Sequence, residues 1–386
     1  MPQTRRRFLR IAGTSGLVLA ATAIGGGAAF VATRRPDKAL APWETAGQAY
    51  DDPRLRALSY AILAPNPHNM QPWMVQLDGD DGFTLLYDLD RMLPETDPFN
   101  RQIVIGLGCF LEIMRMAAAA EGLRADIQLF PDGEPEPLLD GRPVARVRLM
   151  RDGDVAPDPL FAHLFDRRST KEAFDTSRPV AREIFAQLEA VAGDGVAVGT
   201  LQHADEIAAM RELTWQAHMI EVETPRTYLE SVEVMRFGKA EIEASPDGID
   251  MGGPLLEALN HAGILTRKSL SNMTSSSYQQ GVELYRRIIH SAMGYVFVST
   301  QNNSRTEQIA AGRDWVRINL SAVQQGICVH PLSQALQEYK EMHAKLDDVH
   351  EMLGQRGRRV QMLARVGYGP AVSPSPRWDL KHKLIL

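Results

Sequence analysis

Cysteine is scarce in this chain. Cys109 and Cys328 are the only two among 386 residues, and each lies in an apolar stretch. That count excludes a disulfide framework, and both read as small core residues. No Cys/His cluster has the spacing of a metal site; His343 and His350 fall on a charged helical stretch, so no metal is expected. Excess positive charge is missing too. The net charge of −6 gives no electrostatic case for nucleic acid. There is no short internal repeat. What is present, 44% apolar and 23% charged residues, suffices for one large domain or two of ordinary size.

The N-terminus does not read as part of the fold. Thr4-Arg5-Arg6-Arg7-Phe8-Leu9-Arg10 resembles the twin-arginine export signal, with Arg10 in place of the usual lysine. An apolar run rich in glycine and alanine follows from Ile11 to Thr33. Two readings stand: a signal peptide that is removed, or a retained membrane anchor. Ala39-Leu40-Ala41 is the candidate cleavage site, although it lies late. Residues 1–41 are thus assigned to signal or anchor, with the twin-arginine machinery as a partner and a periplasmic or outward-facing location. Residues 41–52 read as a linker.

The middle of the first half is dominated by Ala64-Pro65-Asn66-Pro67-His68-Asn69-Met70-Gln71-Pro72-Trp73. Each proline removes an amide donor and restricts its predecessor, so helix cannot continue through the stretch. It must be a rigid extended turn carrying Asn66, His68, Asn69 and Gln71. Such a turn is compatible with an ordinary helix-to-strand connection.

Around it, the pattern predicts helix over 53–63 and a hairpin of strands at 74–77 and 83–88. A nearly all-apolar helix follows at 103–121, stopped by Gly122, and then strands at 125–130 and 144–149. In the second half, helices are expected at 181–191, 204–222 and 307–325, the last stopped by Gly326. Strands are expected at 196–201, 292–299, 329–332 and 361–366, with helical turns over 333–353. Residues 224–287 look irregular and too long for a plain connection, which suggests a lid. The tail after Gly369 shows no regular pattern.

Arg167-Arg168-Ser169-Thr170-Lys171 gathers three cations and two hydroxyls in five residues. It reads either as a phosphate cradle or as a solvated basic patch before a helix. Later come Gly326-Ile327-Cys328-Val329-His330-Pro331-Leu332-Ser333 and a basic Arg377 in Pro-Ser-Pro-Arg.

Taken together, the 64–73 turn and the Arg167–Asp175 segment resemble two short motifs of the nitroreductase-like flavoproteins, with Asn66 where that family usually has serine. The resemblance runs from about Asp52 to the end and is similar to the double-length, Acg-like branch. It implies an α+β fold of two tandem degenerate halves, 52–150 and 151–386, that mimic the family homodimer, with a lid inserted at 224–287. It implies flavin mononucleotide (FMN) as cofactor, one per chain. Arg167 and Arg168 would hold phosphate, Ser169 would bond phosphate or the ring edge, with Thr170 beside them, and Lys171 would reach the N1/O2 side of the ring. Pro65, Asn66, His68, Asn69 and Gln71 would lie against the flavin. Pro331, Leu332 and Ser333 would pass over it, with Leu332 or Ser333 giving a backbone amide, and Arg377 would complete the clamp. The implied activity is electron or hydride transfer to a nitroaromatic, quinone or similar acceptor from a donor the sequence does not name. The alternative is an exported protein that binds and sequesters flavin without turnover. No catalytic side chain is assigned. The chain is expected as a monomer or a dimer of pseudo-dimers.

Overall fold

A computed structural model describes residues 33–385. The twin-arginine stretch and nearly all of the apolar run after it lie outside the described residues.

Two sheets, one antiparallel and one antiparallel but for a parallel edge strand, flank a pair of long helices. The strands in chain order are β1 (Trp73–Asp78), β2 (Gly82–Tyr87), β3 (Leu123–Leu129), β4 (Ala145–Arg151), β5 (Val196–Leu201), β6 (Met235–Phe237), β7 (Ile249–Met251), β8 (Gly294–Thr300), β9 (Cys328–Pro331), β10 (Arg359–Gly367) and β11 (Leu384–Ile385). The first sheet has the order β11-β1-β2-β4-β3 and the second β5-β8-β10-β9. The fold is α+β, as expected. The tail corrects the sequence reading: β11 pairs in parallel with β1, so the end of the second half completes the sheet of the first.

The central helices, Arg101–Ala120 and Arg305–Gln324, explain the near-absence of polar positions on the first. They cross at Gly108 and Gly312. A methyl group on Gly108 would collide with the Ile309 carbonyl, and one on Gly312 with the Ile105 carbonyl. The contact is therefore reciprocal, as across a twofold axis between like subunits. The helix starts repeat the relation. Arg101 is buried and donates to the carbonyls of Gln361 and Leu336 in the second half. Arg305, also buried, donates to those of Phe99, Pro135 and Pro137 in the first. One continuous apolar core runs from Trp43 to Leu380 through both halves.

Both helix starts are capped by side chains, and the second also gives its Arg305 and Thr306 amides to Glu134 of the first half. Ser304 and Glu307 form a reciprocal capping box. The Asp97 carboxylate accepts from the amides of Gln102 and Ile103, both at 3.0 Å. Burial nonetheless pushes Asp97 up to about 6.

Three more expectations change. The supposed linker holds a packed helix, Asp37–Thr45, with Ala39, Leu40 and Trp43 buried; a cut at Ala39-Leu40-Ala41 would divide it. Residues 224–287 are mostly helical, with segments Pro225–Glu233, Gly238–Ala244, Pro254–His261, Arg267–Ser271 and Ser276–His290, beside the small parallel pair β6–β7. They pack around their own cluster of Val222, Tyr228, Val232, Phe237 and Leu270, rimmed by methionines. Short Pro-, Gly- and Ser-marked helices hide the helical period, which is why the stretch read as irregular. Residues 334–336 and 340–342 are single 3-10 turns, and the regular helix starts only at His343.

Candidate functional site

The 64–73 turn is backbone under tension. His68, Asn69 and Gln71 all have positive φ, at 44°, 55° and 50°. Each costs a side-chain-bearing residue on the order of 1–2 kcal/mol. Local bonds hold the shape: the Asn66 side-chain oxygen accepts from the Gln71 amide at 2.7 Å, and the Asn66 carbonyl accepts from the Asn69 amide.

Long-range bonds then fasten the turn on two sides. On the tail side, Asn69 donates to the Pro376 carbonyl at 3.0 Å and accepts from Arg377 Nη1 at 2.5 Å. The Trp378 amide donates to Gln71 Oε1, and buried Lys383 Nζ donates to the Gln71 carbonyl at 2.6 Å. Burial brings that lysine down to about 7. On the insert side, Gln71 Nε2 donates to the Pro246 carbonyl at 2.7 Å, and the Gly248 amide to the Asn69 carbonyl at 3.2 Å. Asp247 anchors that corner, accepting from Arg91 (2.6 Å), Arg236 (2.8 Å) and Trp378 Nε1 (2.8 Å).

These bonds redistribute the roles expected of the turn. Asn66, Asn69 and Gln71 use their polar ends within the protein, and Gln71 is fully buried. They build the wall rather than face outward from it. His68 does not share this use: its Nδ1 is buried without a partner, and burial lowers its pKa to about 4, with the Lys171 charge acting in the same direction. Pro65 lies partly exposed at the start of the turn.

Arg167, Arg168 and Arg377 converge on the same place. Arg167 and Arg377 are 3% and 2% exposed, which matters because burying a guanidinium without a counter-charge is costly. Arg167 Nη2 donates to the Leu63 carbonyl, while its Nε and Nη1 have no partner. Arg377 Nη2 donates to the Leu63 and Ala64 carbonyls, at 3.2 and 3.0 Å, and its Nε has no partner. Arg168 reaches the carbonyls of Phe165, Arg167 and Val372. Among the described residues no carboxylate forms an ion pair with any of the three. Burial first, and then the neighbouring guanidiniums, lower Arg167 to about 10 and hold Arg377 well below the ordinary arginine range. Buried cations with unused N–H groups and no counter-charge favour an anionic partner. The segment does not directly precede a helix; the next begins at Arg182.

The remaining predicted residues border this centre. The Thr170 amide donates to the Val329 carbonyl, which ties the arginine segment to β9. Ser169 is half-buried between Arg168 and Thr170. Lys171 is exposed, and its charge acts on His68 and on His330. His330 is buried and accepts through Nδ1 from Arg365 Nε at 2.9 Å. Pro331 ends β9 opposite Ala364. Leu332 donates its amide to the Leu363 carbonyl at 2.9 Å, so of the two amides expected to face a ligand, Ser333's is the one not committed there.

Sequence reasoning missed two contributors. Trp43, in the supposed linker, has its ring within 5.9 Å of all three guanidiniums. Arg365, fully buried on β10, donates to His330, to Ser291 and to the carbonyls of Thr170 and Glu172, and stacks on Phe174. A charged residue inside the otherwise apolar run Leu363–Val366 was its available signal.

No family model matches the chain. A Mycobacterium tuberculosis protein provisionally named NAD(P)H nitroreductase acg is 25% identical over 327 residues, covering 83% of this chain and 90% of its own length. A second protein of that organism, also provisionally named an NAD(P)H nitroreductase, is 26% identical over 334 residues, covering 84% and 89%. Among solved structures, an Anabaena variabilis protein described provisionally as a nitroreductase covers 82% of this chain and 88% of its own at 12% identity, with a TM-score of 0.43. The FMN-dependent nitroreductase NfnB from Mycobacterium smegmatis, solved with NADPH, covers 56% and 92% at 19% identity and a TM-score of 0.34. Over most of its length, then, the chain is similar in sequence to proteins named as nitroreductases.

Proposed function

We propose that the chain is an FMN-dependent oxidoreductase of the nitroreductase type, holding one flavin where the 64–73 turn, the arginine segment, β9 and the tail meet. The observation that carries this reading is the convergence of three arginines that have no carboxylate partner among the described residues, two of which, Arg167 and Arg377, are buried with unused N–H groups. A phosphate monoester brings about two negative charges and several acceptor oxygens, which is what Arg167, Arg168 and Arg377 lack. When bound, FMN supplies the two-electron chemistry itself. The protein's part is to hold and tune. Unpartnered His68 Nδ1 and the Ser333 amide stand ready for polar atoms of the ring, and Lys171 adds positive charge beside them. The 224–287 insert acts as a lid: fastened to the turn through Pro246 and Gly248, it keeps water from the ring. The acceptor is a nitroaromatic, quinone or similar compound. Export by the twin-arginine route, with cofactor loaded beforehand, accords with the N-terminal sequence.

The test is an absorption spectrum of the purified full chain, followed by anaerobic addition of NADH or NADPH. About one FMN per chain that bleaches and then reoxidises with a nitroaromatic is expected. Flavin that never bleaches with any donor would leave binding without turnover. A chain that takes up no FMN overturns the reading. Arg377→Ala is expected to weaken FMN binding by on the order of 1.5–3 kcal/mol, the worth of a charge-assisted hydrogen bond.

A further inference from the structure

Trp43 has no place in the sequence motifs, yet it stands at the middle of the cationic cluster. Its ring centroid lies 5.2 Å from the Arg168 guanidinium carbon, 5.5 Å from that of Arg377 and 5.9 Å from that of Arg167. It is buried, and its Nε1 donates to the Ser375 carbonyl at 2.8 Å. The helix that carries it, Asp37–Thr45, touches two other walls of the site. The Arg377 amide donates to the Ala39 carbonyl at 2.8 Å, which fixes the tail. Toward the insert, the Lys38 amide approaches Glu243 Oε1 at 3.4 Å, and Arg34, just before the helix, pairs with buried Glu257 at 2.9 Å.

We propose that the Asp37–Thr45 helix is a retaining clip on the anion site, with Trp43 the residue that governs how fast a phosphate-bearing ligand leaves. The proposal rests on the phosphate reading of the arginine trio given above. An indole offers no acceptor to guanidinium, but its π-face attracts cations and its bulk excludes water. Placed among three arginines, it holds them together against their mutual repulsion and covers the end at which phosphate would be rehydrated. Recognition stays with the arginines; release is controlled by the tryptophan. The helix is accordingly part of the folded unit.

The experiment uses the full chain with Trp43→Ala, Trp43→Phe and Leu40→Ala, the last loosening the same helix without touching a guanidinium. Dissociation of FMN is followed by the rise of free-flavin fluorescence after dilution, and inorganic phosphate is titrated by thermal shift on the flavin-free protein. Trp43→Ala is expected to release FMN at least tenfold faster and to need at least fivefold more phosphate for the same shift. Trp43→Phe should fall between it and the parent, and it keeps the test open if the alanine variant does not fold. Release and phosphate response within twofold of the parent for both Trp43 variants overturn the clip while leaving the FMN reading intact. If the parent binds no FMN but responds to phosphate, and the Trp43 variants weaken that response, the clip stands and the FMN reading falls.

Discussion

His218 carries an unpaired ring nitrogen, Nδ1, into the interior at 5% exposure, stacked on Tyr285 with centroids 4.6 Å apart and Trp215 alongside. Burial lowers its pKa from the ordinary 6.5 to about 4. Above pH 6.5 both folded and unfolded chains hold it neutral, and it has no effect. As pH falls toward 4 the unfolded chain takes up a proton that the folded one refuses, so stability drops, by roughly 2 kcal/mol at pH 5. His68 and His330 are shifted the same way, whereas Asp97 and Glu221, pushed up to about 6 and about 7, oppose them because the fold favours their protonated forms. A single-residue difference isolates the histidine. His218→Gln should lose less melting temperature than the parent between pH 7.5 and 5; parallel profiles would remove this account.

At the scale of elements, the tightest constraint is the crossing of the two central helices. Gly312→Ala gains helix propensity worth about 1 kcal/mol, yet its methyl group meets the Ile105 carbonyl and the Gly108 backbone. Backbone has nowhere to rotate away, so overpacking at about 1–3 kcal/mol should prevail and the melting temperature fall. Gly281, on the Ser276–His290 helix, is the control: a methyl there meets nothing within 4 Å, so Gly281→Ala should be neutral or stabilising. Equal effects at the two sites would show that the crossing is not the cause. These elements also show what a sequence discloses. The long helices, the hairpin and the arginine segment were legible because their signals are local: apolar periodicity, stop glycines, clustered charge. The roles of Asn69 and Gln71 were not, because the partners that occupy them, Pro376 and Arg377 for the first and Pro246, Trp378 and Lys383 for the second, are remote in sequence. The Asp37–Thr45 helix was obscured by its brevity and by Pro42 inside it, and two-residue β11 is too short to carry a pattern.

For the whole molecule, the question is whether two halves that look like subunits can stand apart. The reciprocal relation of Arg101, Ile105 and Gly108 to Arg305, Ile309 and Gly312 gives the chain the internal symmetry of a dimer. A dimer of independent subunits would keep a core in each. Here Phe110 and Trp73 of the first half share one apolar cluster with Val296, Trp315 and Val316 of the second. The first sheet takes its edge strand from the C-terminus, and Arg305 satisfies carbonyls of the 99–137 region. Separating the halves exposes that core and leaves two buried arginines without their acceptors, a loss far above the few kcal/mol by which domains of this size are stable. Fragments 1–150 and 151–386 expressed separately should therefore give no cooperative melt. Co-expressed, they should copurify and melt as one species near the parent. A cooperative transition in fragment 1–150 alone would show that the first half owns a core of its own and that the shared one is secondary.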